Sequence, residues 1–464
     1  MSLTTYEEVR PWAKSIAEKV GERTMPPWHA DKGVGVFVND RSLNDEQVAT
    51  IVKWATQGAK QGDPKDMPAL PEFPTGEWRL GTPDLVVTLD KVDLPAGGED
   101  QFFNLQHKLD LPKDQWLRAV EVRPSNRKVT HHVIAYQTEG KKPPQGWLAA
   151  WAAGMDPMAF PEKMGRLVKK DATIIGDMHY HPTDAAASDQ TSLGFFFAQD
   201  ADIQKEVINL WIANQNFEIP AGNASYKARS TFTFPQDSMI LAVLPHMHYR
   251  GKSFTYTAKY PDGHSELLMS TSNYDFSWQT NYTFKEPIFV PKGTRIDCIA
   301  EWDNSANNPR NPDPTRNVRF GNNSKDEMMI GFVDYIVKDG LRPVPAEDVV
   351  AQHLKEFAAR NPKDAYAIDL KASDEGDLTL PSALYLPKEG TSEWYIALMG
   401  NVYEVKLSKI VWTGDSVTAT AAIGGFGTFD FSATRDPATG DLIGKLQVGG
   451  EKGFVMEVHA KQQH

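Results

Sequence analysis

The sequence predicts a mainly β protein: two antiparallel β-sandwich, jelly-roll-like domains, with a small helical N-terminal region and a C-terminal β-meander domain. Three observations carry this. Between residues 84 and 341, short β-branched and aromatic runs such as "DLVVTL", "HHVIAYQ", "STFTFP" and "MIGFVDYIV" are separated by Gly, Pro, Asn and Asp, the pattern of strands joined by turns. That stretch has the length of two sandwiches of usual size. The chain of 464 residues is too long for one core, and its 41% hydrophobic and 24% charged residues are those of an ordinary globular protein.

Taken in order, residues 1–80 read as helical and then irregular. Thr5 and Glu8 form a capping box that opens the first helix, and Pro11 limits its first turn. Behind an Asn44 cap, Val48, Ile51, Val52 and Ala55 follow helical spacing. The proline-rich segment 63–74 reads as a linker. Residues 84–205 and 206–341 are assigned to the two sandwiches. In the region 345–464, "PAEDVVAQHLKEFAAR" is an amphipathic helix, and the strands after it are joined by turns such as "TGD" and "PATGD".

Composition excludes several functions. A net charge of -12 without a basic patch argues against nucleic-acid binding. No run approaches the ~20 apolar residues of a membrane-spanning helix. The single cysteine, Cys298, allows no intramolecular disulfide, thiolate zinc cluster or CxxCH haem attachment, so no covalent haem is expected. A metal would be held by His, Met, Asp or Glu. The chain opens without a signal peptide, and as written would stay in the cytoplasm.

Of 12 histidines, six fall into three clusters: His131 with His132, His179 with His181, and His246 with His248. On a strand, His246 and His248 share a face and offer two nitrogens to one ion; a polar strand face reads the same way. His131 and His132 point to opposite faces of a regular strand, so joint ligation needs a bend or a strand end. Asp177 should share the face of His179 and is a candidate to orient it; a solvated aspartate explains it equally well. Met328 and Met329 precede an apolar strand, where methionine is usually core; two imidazoles with a thioether would suit copper, above all Cu(I), and suit zinc poorly. Cys298 reads as core, and the other histidines are isolated.

The ordered series "HH", "MHYHP", "HMHYRGK" and "DEMM", with "AAWAAGMDPMAFPEKMG" before the second, resembles the copper type II, ascorbate-dependent monooxygenases, which include the peptidylglycine alpha-hydroxylating and dopamine beta-monooxygenases. The resemblance covers about 84–340. It implies two copper ions on two sandwiches. His131, His132 and His179 match the ligands of the electron-storing copper, and His246, His248 and Met328 those of the catalytic copper that meets dioxygen. His181 lies outside the ligand set, and Met247 and Met329 are packing residues. The implied reaction hydroxylates a substrate C–H bond with dioxygen and a one-electron donor such as ascorbate. The N-terminal region resembles a cytochrome c-like remnant of bacterial members, in which Met25 would be the natural axial ligand of a haem; packing before a Pro-Pro turn explains Met25 equally well. That likeness implies a periplasmic or secreted protein.

The pattern departs from peptide-amidating members at Leu244, where they carry a carboxylate-binding arginine, and at Ile330 and Phe332, where they carry Asn and Tyr. Leucine cannot replace that ion pair, so a peptide C-terminus is not the expected substrate. The alternative function is a non-catalytic copper-binding protein on the same double sandwich.

Overall fold

The computed structural model describes residues 3–69, 76–139, 147–372, 379–398, 401–423, 427–448 and 455–463. The linker expected at 63–74 runs into residues 70–75, and these lie outside the described residues, as does His464. The protein is mainly β. At the N-terminus, Thr5 and Glu8 make the expected reciprocal box on the helix Tyr6–Val9, and Asn44 and Gln47 make one on Asp45–Thr56. That second helix buries none of its residues fully. The N-terminal region is tied to both sandwiches: Arg41 donates to the Asp156 carboxylate of the first at 2.9 Å, and further contacts reach the second. Ser270 and Ser272 donate their hydroxyls to the Asp31 carboxylate, and Phe37 bridges to Phe284.

The first sandwich packs two sheets. One runs in the order Leu85–Thr88, Ser192–Ala198, Gln115–Arg123, Met164–Val168 and Lys205–Glu206; the other is Gln101–Lys108, Thr173–Tyr180, Thr130–Thr138 and Trp147–Ala152. In the second sandwich, Ile208–Ala213, Ile330–Val337, Ser238–His246 and Tyr282–Val290 face Tyr226–Thr233, Arg295–Trp302, Gly251–Lys259 and Ser265–Thr271. Alternating burial puts Phe254, Tyr256, Cys298 and Trp302 into the second core, fully buried. The C-terminal meander goes further than expected. Its eight strands, Ala365–Ala372 through Val455–Gln462, close into a barrel, because the last pairs with the first. Trp394, Phe431 and Leu446 are buried in its interior, and the helix Ala346–Arg360 packs Phe357 against its outside.

The two sandwiches are joined by a buried ion pair inside an apolar seam. Arg166 of the first sandwich donates to the backbone carbonyls of Trp147 and Val207 and, at 3.2 Å, to the Asp334 carboxylate of the second. Asn209 donates to the same carboxylate oxygen at 2.8 Å. Around this pair, Trp147, Ile134 and Met155 of the first sandwich pack on Leu244, Ile330 and Phe332 of the second. Among the described residues, no helix is long and apolar enough to cross a membrane.

Replacing Arg166 with leucine strands a buried carboxylate, so the cost is expected at about 3–5 kcal/mol. Urea unfolding followed by tryptophan fluorescence checks this; an unchanged midpoint would show that the pair does not hold the junction.

Candidate metal centres

Three imidazoles of the first sandwich converge. His131, His132 and His179 each place a ring nitrogen within 4.8 Å of the others. The strand geometry explains how neighbours in sequence manage this. Thr130 pairs with Tyr180 and His132 with His179, which leaves His131 as the extra residue of a β-bulge. A bulge re-aims one side chain, so both rings turn to the same side. His132 then stands directly across from His179, and Phe102 stacks on the His179 ring at 4.4 Å.

The hydrogen bonds show which atoms are free for a metal. His179 Nε2 bonds the Asp100 carboxylate at 2.8 Å, while its Nδ1 is buried without a partner among the described residues. The Nδ1 atoms of His131 and His132 lie 3.1 Å apart. An orphaned lone pair facing two other imidazoles is costly in a dry interior and fits a cation in the middle. Asp100 also accepts from the exposed His181 at 2.7 Å. The His179 bond, aided by His181 and opposed by burial, holds the Asp100 carboxyl down at about 2. Asp177, the expected orienting residue, makes no such bond: it is exposed, and Asp100 takes that place. Asp100 lies in the "GGED" turn, where nothing in the local pattern ties it to position 179.

In the second sandwich the strand ends at His246, so His248 lies just beyond it rather than within it. The two rings still meet, with centroids 5.3 Å apart and planes at 89°. Each is oriented through Nδ1. His246 bonds the Gln279 side-chain oxygen at 2.6 Å, and His248 the Asp326 carbonyl at 3.3 Å. Both acceptors require the proton on Nδ1, which leaves the Nε2 lone pairs free. Met328 belongs to the same side of the sheet. His246 pairs with Ile330 and Leu244 with Phe332, and Met328 clusters with Leu244, Ile330 and Phe332. Met247 and Met329 are fully buried in the core, as expected.

Glu327 holds this corner together. Its buried carboxylate accepts from the backbone N–H of His248 at 2.8 Å and of Arg250 at 2.6 Å, and from the Trp302 indole at 2.9 Å. Burial pushes its pKa up to about 7. Carrying a carboxylate there against the buried Arg250 fixes the segment 326–328 beside the histidines.

The loop 272–281 was not singled out by any pattern in the sequence, yet it serves both centres. Gln279 orients His246. Tyr274 both donates to the Met247 carbonyl and accepts its N–H, at 2.8 and 3.0 Å. Phe276 stacks on His131 at 5.1 Å and meets His248 edge-on at 5.5 Å, so one ring touches both clusters. Trp278 presses against Gly154 of the first sandwich, at φ +84°, where a Cβ would come within 2.8 Å of the indole. Only glycine fits that approach.

The rings of His131, His132, His246 and His248 are ready to ligate. Burial, reinforced by His179, lowers His131 to about 4. Burial likewise holds His132 and His248 well below the ordinary imidazole value and His246 below it. Neutral imidazoles bind a metal without first releasing a proton.

Comparison with known proteins adds no assignment. No family model matches the chain, and no curated protein matches it. Among solved structures, a VP2 subviral particle of infectious bursal disease virus aligns with a TM-score of 0.17 at 10% identity, over 55% of this chain and 71% of that one. The Gx strain of the same virus gives 0.16 at 11% identity, over 55% and 76%. Such scores carry no argument about fold or function.

Two predictions follow from the bonding. Asp100→Asn should weaken metal binding at the His131/His132/His179 cluster by about 10–100-fold while sparing the other, and Gln279→Leu should do the reverse; competition with a chromophoric chelator reads both. In the metal-free protein, the unfolded chain binds protons at histidine near 6.5 and the folded chain only near 4 at His131. Stability is therefore full above about 6.5 and falls as pH drops toward about 4. Thermal melts at pH 7 and pH 5 should show the lower midpoint at pH 5.

Proposed function

We propose that this chain is a copper-dependent monooxygenase of the copper type II, ascorbate-dependent kind. It would hydroxylate a C–H bond of a small substrate with dioxygen and a one-electron donor such as ascorbate. The observation that supports this best is the pairing of two unlike donor sets at one junction. Three imidazoles gather in the first sandwich, and in the second the His246 ring, with the His248 ring beside it, lies on the sheet side of the Met328 thioether. His132 and His246 border the same small cavity between the sandwiches. A thioether with two imidazoles favours Cu(I) and suits zinc poorly, and a store needs no such difference between its sites.

Bound copper would supply one-electron redox chemistry and a place for dioxygen. The residues of the chain do the rest. Asp100 and Gln279 hold His179 and His246 in single orientations. The apolar seam of Trp147, Leu244 and Phe332 keeps bulk water from the second centre. Phe276 fills the space between His131 and His248, so the clusters meet through a ring rather than through solvent. Leu244 lies buried in that seam, so the position carries no cation for a substrate carboxylate.

A non-catalytic copper-binding protein is the second reading. It is favoured by the size of the shared cavity, about 30 Å³, roughly the room of one water molecule.

Metal analysis after anaerobic loading with Cu(I) should find two ions per chain. Met328→Leu should keep the first and lose most Cu(I) affinity at the second. Ascorbate-driven oxygen uptake that rises with a hydroxylated substrate supports the enzyme. Two tightly held ions with no such uptake would leave the binding protein, and no retained copper would end both readings.

A further inference from the structure

The cavity shared by His132 and His246 has a distinctive wall. Trp147, Trp151, Leu244, Phe332 and Met155 are among its lining residues, and among the described residues no Lys, Arg, Asp or Glu lines it. A carboxylate or ammonium group placed there would lose its water and gain no counter-charge. One of the lining residues has an unused polar atom: the Trp147 indole nitrogen is buried with no partner among the described residues. An indole N–H can only donate, so it calls for an acceptor.

The cavity also adjoins a larger one. Ala150, Met155 and Gln279 line both it and a neighbouring space of about 190 Å³, whose charged lining residues are already paired, Arg41 with Asp156 and Asp334 with Arg166. Of these shared walls, Met155 is the one that moves cheaply: it is unbranched, with three rotatable bonds, and only partly buried. Its displacement would merge the two spaces, while Gln279 is committed to His246.

We propose that this chamber binds a neutral, mainly apolar small molecule with one hydrogen-bond acceptor, held by the Trp147 indole beside His246, with Met155 as the side chain that gives way. This names the substrate class of the reading above and rests on it for the chemistry only; the binding does not require copper.

Calorimetric titration of the metal-free protein with four ligands of similar shape tests this. Acetophenone should bind tightest. Ethylbenzene, which lacks the acceptor, should bind about 3–10-fold more weakly, the worth of one hydrogen bond. Benzoate and benzylamine should bind at least tenfold more weakly than acetophenone. In Trp147→Phe, checked for native circular dichroism, acetophenone should fall to the level of ethylbenzene. The proposal is overturned if benzoate or benzylamine matches acetophenone, if no ligand binds, or if folded Trp147→Phe keeps the preference. Should that variant not fold, the ranking on the native chain still decides. A chain that shows this ranking but retains no copper keeps the chamber and loses the oxygenase.

Discussion

The buried guanidinium of Arg166 is the constraint on which the rest of the molecule depends. It reaches out of the first sandwich and into the second, where Asp334 and the Val207 carbonyl receive it, while the Trp147 carbonyl of its own sandwich holds it in place. An ion pair in a dry seam contributes little net stability, because desolvation offsets the attraction. What it does supply is register. An apolar seam alone tolerates sliding; a planar cation with fixed acceptors does not. The seam it fixes is the one in which Leu244, Ile330 and Phe332 meet Trp147 and Ile134, and the two histidine clusters sit at its edge.

Within that frame the two clusters are built by different means. The first depends on an irregularity, the bulge at His131, and presents Nδ1 at His179 because Asp100 occupies the other nitrogen. The second depends on a strand end, with the chain turned back by the Glu327 carboxylate, and frees Nε2 on both rings. The difference in donor atoms thus follows from the hydrogen-bond partner each ring is given, in addition to the thioether that distinguishes the ligand sets.

Local features were well written in the sequence. Period-two runs located the strands, and the side chains of Thr5 and Asn44 announced their helices because capping is a contact between near neighbours. The burial of Met247, Met329 and Cys298 followed from their apolar settings. Closure of the C-terminal strands was not legible, since a meander and a barrel differ only in whether the last strand meets the first. The orienting residues were hidden for a similar reason. Asp100 lies 79 positions from His179, and Gln279 lies 33 from His246. Asp177 was the natural expectation from strand alternation, but alternation says which face a side chain leaves from, and not which neighbour it reaches. The bulge that aligns His131 with His132 leaves no residue signature either.

The loop 272–281 couples what the chain otherwise keeps apart. One short stretch of backbone carries the acceptor for His246, the ring wedged between His131 and His248, and the indole seated on Gly154. A shift of this loop by an ångström would disturb both centres and the contact across the junction at once. The two halves of the molecule are therefore not modular: neither could be transplanted onto another scaffold without carrying this hairpin-sized strap along with it.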